Sequence, residues 1–359
     1  MGLPLLVPEL PGRVKLHRLD DNYEMIRMLG EGASAEVWLA WYKAHPAFQK
    51  KVAVKILHEV KGENAKRYMR HFINEARVGA AMQHPCVVSV FDFGVTEAKP
   101  WFAMEYIEGV TLRRLLSVMG GRSLGINVAV EIGYQIARAL EYAHTWRGSE
   151  GQLQPVVHRD IKPENIIIGW TGEVKMLDYG IARWEGNRSY QTTASVPKGT
   201  PQYMSPEQIE TPVSVGPRAD LFALGTIILE SLTGRNAFYG ATIPVVLSKI
   251  LDRQPIELFG QVRKENEELA DLVEWLMKKA ASARPASSST VRSLLMELRV
   301  EYPLRRDIGR IVRDWMEELA GPDCAEIRST DEFPAVRITQ PDLLGIDWMD
   351  EALGTKLDL

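Results

Sequence analysis

The sequence predicts an α+β protein built as two lobes, a small strand-rich lobe followed by a larger helical one. Three observations carry that prediction. Across residues 23–104, short β-rich runs such as Glu36-Val37-Trp38-Leu39-Ala40-Trp41 and Val52-Ala53-Val54-Lys55-Ile56-Leu57 are interrupted by one helical stretch at about 64–82. After Gly109 the period changes. Ala129, Ile132, Gly133, Ile136, Ala137, Leu140 and Ala143 recur three and four residues apart, the buried face of an amphipathic helix. Helical segments at roughly 220–233, 243–252, 266–280 and 288–299 follow, separated by turns such as Thr233-Gly234 and Arg284-Pro285-Ala286-Ser287.

Composition narrows the function. A chain of 359 residues that is 45% hydrophobic and 25% charged can bury a sizeable core. A net charge of -4 gives no basic face for nucleic acid, which is therefore not an expected partner. Two cysteines, Cys86 and Cys324, make neither a disulfide framework nor a thiolate zinc site, and suit a reducing, cytoplasmic setting. The apolar start Met1-Gly2-Leu3-Pro4-Leu5-Leu6-Val7-Pro8 lacks a basic leader and holds two prolines, so it reads poorly as a signal peptide. Position 6 lacks the hydroxyl a myristoylation motif needs. No apolar run approaches the roughly 18 residues of a membrane span.

The expected organisation is an N-terminal extension at 1–22 and a two-lobed body at 23–300. Within that body the small lobe takes 23–103, a linker 104–109, and the helical lobe 110–300. The segment 144–157, with Gly148, Gly151 and Pro155, reads as an exposed surface insertion. Residues 301–359 form an appendix. In it Ile308, Ile311, Val312, Trp315, Met316 and Leu319 sit at helical spacing, and from residue 321 nine acidic residues face three basic ones.

The chemistry is concentrated in His158-Arg159-Asp160-Ile161-Lys162-Pro163-Glu164-Asn165, with Asp178-Tyr179-Gly180 beginning thirteen residues after Asn165. A candidate base and two hard-oxygen metal ligands at this spacing are the parts phosphoryl transfer requires. The octet resembles the catalytic loop of eukaryotic-like (Hanks-type) serine/threonine protein kinases, and the resemblance runs over about 23–300 in the family's order. It implies the bilobal protein kinase fold, ATP as phosphate donor and Mg2+, with Mn2+ as an alternative. Asp160 would accept the substrate hydroxyl proton, Lys162 would meet the transferring phosphoryl charge, and Asn165 and Asp178 would hold the metal.

Reading outward, the same resemblance assigns the rest. Leu29, Gly30, Glu31, Gly32, Ala33 and Ser34 form the loop over the phosphates, with Ala35 where the family has its third glycine. Lys55, eighteen residues after Val37, would neutralise the phosphates, and Glu75, twenty residues on, would hold its ammonium. Leu29, Val37 and Ala53 would roof the purine and Ile167 floor it. Met104 would guard the back pocket, and Glu105 and Ile107 would offer backbone hydrogen bonds. Lys162 and Thr200 resemble the Ser/Thr branch, and Gly199-Thr200-Pro201-Gln202-Tyr203-Met204-Ser205-Pro206-Glu207 resembles its bacterial members. Glu207 with Arg284, and Asp220, are expected to be structural.

Regulation is also implied. Arg159, with Arg183 and His71 as helpers, would grip a phosphorylated activation segment, with Thr192, Thr193 and Ser195 as candidate acceptors. Protein substrates, and this chain itself in trans, are the expected partners. Tyr179 replaces the usual Phe after the metal-binding Asp. Gly79 stands where the family places a larger apolar residue, so either Met82 or another neighbour fills the gap or the control helix is loosely held. Two other readings use the same residues: a pseudokinase-type ATP-binding scaffold and a small-molecule phosphotransferase. Intact Lys55, Glu75, Asp160, Asn165 and Asp178 disfavour the first, and the Glu207 and Arg284 pair disfavours the second.

Overall fold

A computed structural model of the chain describes residues 18–320 apart from 21, 33, 46, 59–64, 98, 149, 179–200 and 253–254. The small lobe is a six-stranded antiparallel sheet in the order β1-β2-β3-β4-β6-β5. Its strands are β1 (Arg18–Asp20), β2 (Tyr23–Glu31), β3 (Ala35–His45), β4 (Phe48–Leu57), β5 (Val90–Thr96) and β6 (Lys99–Glu105), with helix α1 (Ala65–Ala81) between β4 and β5. The sheet thus begins upstream of Tyr23.

Strand alternation explains why β4 is so apolar. Val52, Val54 and Ile56 join Leu19, Tyr23 and Trp101 on the outer face, while Ala53 and Leu57 join Phe72, Ala76 and Phe102 on the face toward α1. Both faces are covered, so the strand reads as a continuous apolar run. The same period of two puts Lys55 on the α1 face, in register with Val37 and Phe102.

The helical lobe opens with β7 (Gly109–Thr111), α2 (Leu112–Met119) and α3 (Ile126–His144). Next come β8 (Ile166–Gly169) and β9 (Val174–Met176), which complete a three-stranded sheet with β7. Beyond them lie α4 (Pro206–Glu210), α5 (Arg218–Thr233), α6 (Ile243–Asp252), α7 (Ile256–Glu265), α8 (Glu267–Leu276), α9 (Ser288–Glu301) and α10 (Ile308–Ala320). From Ala219 to Thr233 every residue of α5 is buried, so this helix forms the centre of the lobe. The short helices α2 and α7 escaped the periodicity. The first is set by Thr111, whose hydroxyl accepts a hydrogen bond from the Arg114 N–H. Helix α8 ends at Leu276, short of the expected 280, where the chain turns to present Arg284.

Segment 144–157 is exposed along most of its length, as expected, and is closed into a small hairpin. Arg147 bridges Leu153, and Trp146 and Val156 pack against the core. Helix α10 belongs to that same core, through Ile308, Val312 and Met316. Its approach is close because Gly309 has no Cβ: one there would lie 2.5 Å from the Gly169 carbonyl oxygen. Asp307 accepts the Gly309 N–H (2.8 Å), capping the helix, and its carboxylate fills the space over Gly172, whose φ is +96°. Met316→Ala is expected to cost about 2–5 kcal/mol in urea unfolding. A loss below about 1 kcal/mol would mean that α10 adds little to the core. Among the described residues, no helix is long and apolar enough to cross a membrane.

Candidate active site

The His158–Asn165 octet hangs from α5. The buried Asp220 carboxylate accepts the backbone N–H of His158 and of Arg159, each at 2.8 Å, and the Nε2–H of His144 at 2.9 Å. With Nε2 donating, His144 Nδ1 is left to accept from the Ser288 hydroxyl at 3.1 Å. Burial by itself would raise the Asp220 pKa, but His144, His158 and the Arg159 N–H hold it below the ordinary carboxylate value. These bonds also keep Arg159 at φ +64°, a left-handed conformation a side-chain-bearing residue seldom adopts. Gln208 adds a bond from its amide to the Arg159 carbonyl (2.8 Å).

His158 joins this loop to the Asp178 segment. Its Nε2–H donates to the Leu177 carbonyl (3.0 Å), and its Nδ1 accepts the Asp160 N–H (3.3 Å). Burial holds the imidazole below its usual pKa, and therefore neutral at pH 7. The unfolded chain takes up that proton more readily than the folded one. The contribution is thus complete above the ordinary value near 6.5 and is lost as pH falls below it. Between pH 7.5 and 5 the melting temperature of the wild type should fall relative to that of His158→Phe, since Glu75, raised to about 8, contributes the opposite trend equally to both. Equal slopes would refute this.

Asp160, Lys162 and Asn165 are held together. Asn165 Nδ2 donates to the Asp160 carbonyl (2.8 Å) and carboxylate (3.2 Å), and Lys162 Nζ lies 3.0 Å from the same carboxylate. Opposite them, Lys55 pairs with Glu75 from α1 and lies 2.9 Å from Asp178 Oδ2. Asp178, at φ +47°, keeps 37% of its side-chain surface exposed. One ammonium between two carboxylates separates their acidities. Burial alone would depress Lys55, yet Asp178 and Glu75 hold it above its ordinary range. Burial pushes Glu75 up to about 8 against the pull of Lys55. Asp178 ends below the usual value because Lys55 outweighs its burial. With Nδ2 committed, Asn165 offers Oδ1 as a ligand, and together with the Asp178 carboxylate this hard-oxygen set fits magnesium.

Glu75 is aimed by the packing of α1, which buries Met69, Phe72 and Ala76 against the sheet. The gap at Gly79 is filled by Val90, since a Cβ on Gly79 would lie 2.5 Å from Val90 Cγ2. Met82 does not fill it; that residue is buried in the core of the helical lobe. A cavity of about 20 Å³ remains beside Gly79, Met104 and Phe102.

The apolar residues expected around a purine come together. Leu29, Val37, Ala53, Met104, Ile107 and Ile167 share one apolar cluster with Leu177. The Glu105 N–H is used by the Ser89 carbonyl (2.9 Å), so its own carbonyl is what Glu105 can offer a purine. The Gly-rich turn is closed by Gly32 N–H to the Ala35 carbonyl (2.7 Å). His58, which no sequence signal marks, braces it by donating from its backbone to Ser34 (2.8 Å) and from Nε2 to the Gly32 carbonyl (3.1 Å).

Arg284 chelates Glu207 at 2.7 and 2.8 Å and donates to the Lys278, Arg218 and Lys279 carbonyls. A second cluster was not read from the sequence. Arg113 of α2 donates to Glu164 (2.9 Å) and Glu230 (3.1 Å), and the Tyr203 hydroxyl bonds both Arg113 and Glu230. It joins the turn before Asn165 to α5, and its members lie too far apart in sequence to signal one another. Arg159 donates a guanidinium N–H to the Val215 carbonyl (3.2 Å), and His71 is half-buried on α1. Ala33, Tyr179, Gly180, Arg183, Thr192, Thr193, Ser195 and Thr200 lie outside the described residues.

A strand-rich lobe carrying a Lys–Glu pair, set over a helical lobe carrying an Asp-Lys-Asn loop, defines a two-lobed phosphotransferase fold. The model of the protein kinase domain matches residues 23–296, and the chain belongs to that family. It is 36% identical over 245 residues to the serine/threonine-protein kinase PknB of Mycobacterium tuberculosis, covering 66% of this chain and 36% of that protein. It is 32% identical over 269 residues to the serine/threonine-protein kinase PrkC of Bacillus subtilis (75% and 38% covered). It is also 32% identical over 279 residues to the tyrosine-protein kinase MasK of Myxococcus xanthus (76% and 42%). The chain thus spans well under half the length of these relatives. The fold matches the crystal structure of the Mycobacterium tuberculosis PknI kinase domain with a TM-score of 0.58 at 23% identity. That match covers 80% of this chain and 100% of that one.

Proposed function

We propose that this chain is an active kinase that transfers the γ-phosphoryl group of ATP to Ser or Thr hydroxyls of protein substrates in the cytoplasm, its own activation segment included. One observation carries the reading: Asp160, Lys162 and Asn165 are bonded together on one loop while Lys55 is paired with Glu75 and Asp178 across from it. The Asp160 carboxylate orients the acceptor hydroxyl and takes its proton. Lys162, 3.0 Å from Asp160, is placed to meet charge on the phosphoryl group. Lys55, fixed by Glu75, binds the phosphates. Magnesium held by Asn165 and Asp178 supplies charge neutralisation at the phosphates when bound.

Lys162 supports Ser or Thr as the acceptor, and the name of MasK makes acceptor identity worth testing directly. The test is incubation of the full chain with ATP and magnesium, followed by mapping of phosphate by mass spectrometry. Phosphoserine and phosphothreonine, with Thr192 or Thr193 among the sites, are expected. Phosphate on tyrosine alone would overturn the acceptor class. Nucleotide binding without transfer would favour the scaffold reading. Full activity of a Thr192→Ala/Thr193→Ala protein would remove the activation-segment role.

A further inference from the structure

The roof of the purine pocket belongs to the small lobe and its floor, Ile167, to β8 of the helical lobe, so the linker sets the gap between them. Two ion pairs grip that linker. Lys51 of β4 reaches Glu108 at 2.7 Å, with both side chains largely in water, where such pairs are weak and screened. Lys175 of β9 is different. Its Nζ lies 2.7 Å from both carboxylate oxygens of Glu105, and only 13% of the Lys175 side chain and 35% of Glu105 are exposed.

The surroundings make this pair a geometric restraint. Lys175 lies opposite Ile167 in the β8–β9 register, so the strands that carry the purine floor also carry the ammonium. Its neighbour Met176 donates to the Cys86 carbonyl (2.9 Å) and accepts from the Val88 N–H (3.0 Å), tying β9 to the α1–β5 connection. The Glu105 N–H is bonded to Ser89 of that same connection (2.9 Å). Floor, connection and linker are therefore one bonded unit, and Lys175 holds its side-chain end.

We propose that Lys175 is a positioning residue for nucleotide binding: its ammonium holds the Glu105 carboxylate and so fixes the backbone of residues 105–107 at one separation from Ile167. The proposal rests on the kinase reading. A linker already ordered before ATP arrives spares the ordering cost on binding. Loss of the tie should therefore weaken nucleotide affinity and leave the chemical step alone.

The experiment measures ADP binding by calorimetry with magnesium, and steady-state kinetics, on full-chain variants. For Lys175→Met, the ADP Kd and the KM for ATP should rise about three- to tenfold with kcat within about twofold. Lys175→Arg should stay close to the wild type. Adding Glu105→Gln to Lys175→Met should cost little beyond either change alone, as expected for one shared interaction. Unchanged ADP affinity in Lys175→Met, even with a lower melting temperature, would overturn the proposal while leaving the kinase reading intact. A changed kcat at constant KM would also overturn it. No ADP binding by the wild type would remove the kinase reading and this proposal together.

Discussion

Asp178→Asn is expected to fold like the wild type and to transfer phosphate about 10³-fold more slowly. The substitution keeps the shape of the side chain and removes its charge, which serves two partners. It is 2.9 Å from Lys55, and with Asn165 it completes the hard-oxygen pair assigned to magnesium. An amide oxygen is a weaker ligand than a carboxylate, and it no longer shares the Lys55 ammonium with Glu75. Lys55 keeps Glu75 as a partner, so the fold and the far-UV circular dichroism should match the wild type, while the melting temperature should drop modestly because the pull of Lys55 on the Asp178 charge is lost. Retention of more than about a tenth of the wild-type rate would remove Asp178 from the metal-holding role.

Arg284→Ala should be the most destabilising of the simple substitutions, by about 3–5 kcal/mol in urea denaturation. The guanidinium has no solvent exposure and donates to two carboxylate oxygens and three carbonyls. It also lies 4.9 Å from the Phe222 ring centroid. Truncation strands all of these acceptors in a dry site, and the Glu207 charge loses its counterion. Glu207→Gln, which keeps an acceptor and loses the charge, should cost less. A loss below about 1 kcal/mol for Arg284→Ala would show that the pair is not a structural tie between α4 and the base of the lobe.

Local motifs were legible because phosphoryl transfer demands particular side chains at fixed short spacings. Asp160, Lys162 and Asn165 lie within six residues, and their hydrogen bonds are within the same turn. Lys55 was also legible, because Val52-Ala53-Val54-Lys55 resembles the family's strand motif and Glu75 follows twenty residues on, while the strand period places it on the α1 face. Helices α3, α5 and α6 could be read from period or continuous apolarity. Helix α2, eight residues long and set by its Thr111 cap, could not, and α7 was also missed. His144 bonds Asp220 across 76 residues and Ser288 across 144, and no local pattern marks either partnership. His58, Arg113 and Tyr203 escaped notice for the same reason.

Gly79 is the clearest division between the two levels. From the sequence it is a missing side chain on the helix that carries Glu75, with several ways of being compensated. Only the packing of β5 against α1 places Val90 in that space and sends Met82 to the other lobe. Similarly, the spacing of Ile308, Val312 and Met316 determined an amphipathic helix, while its place against Gly169 and Trp170 came from the fit of Gly309 and Asp307. The α+β lobes and the octet around Asp160 were readable because strand and helix periods and short fixed spacings are local constraints, and the family resemblance added the Lys55–Glu75 pair. Tertiary structure alone decided how the loop is anchored, what fills Gly79 and what clamps the linker. Those depend on groups distant in the chain meeting at hydrogen-bond and van der Waals range, where short-range forces act only after the fold has formed.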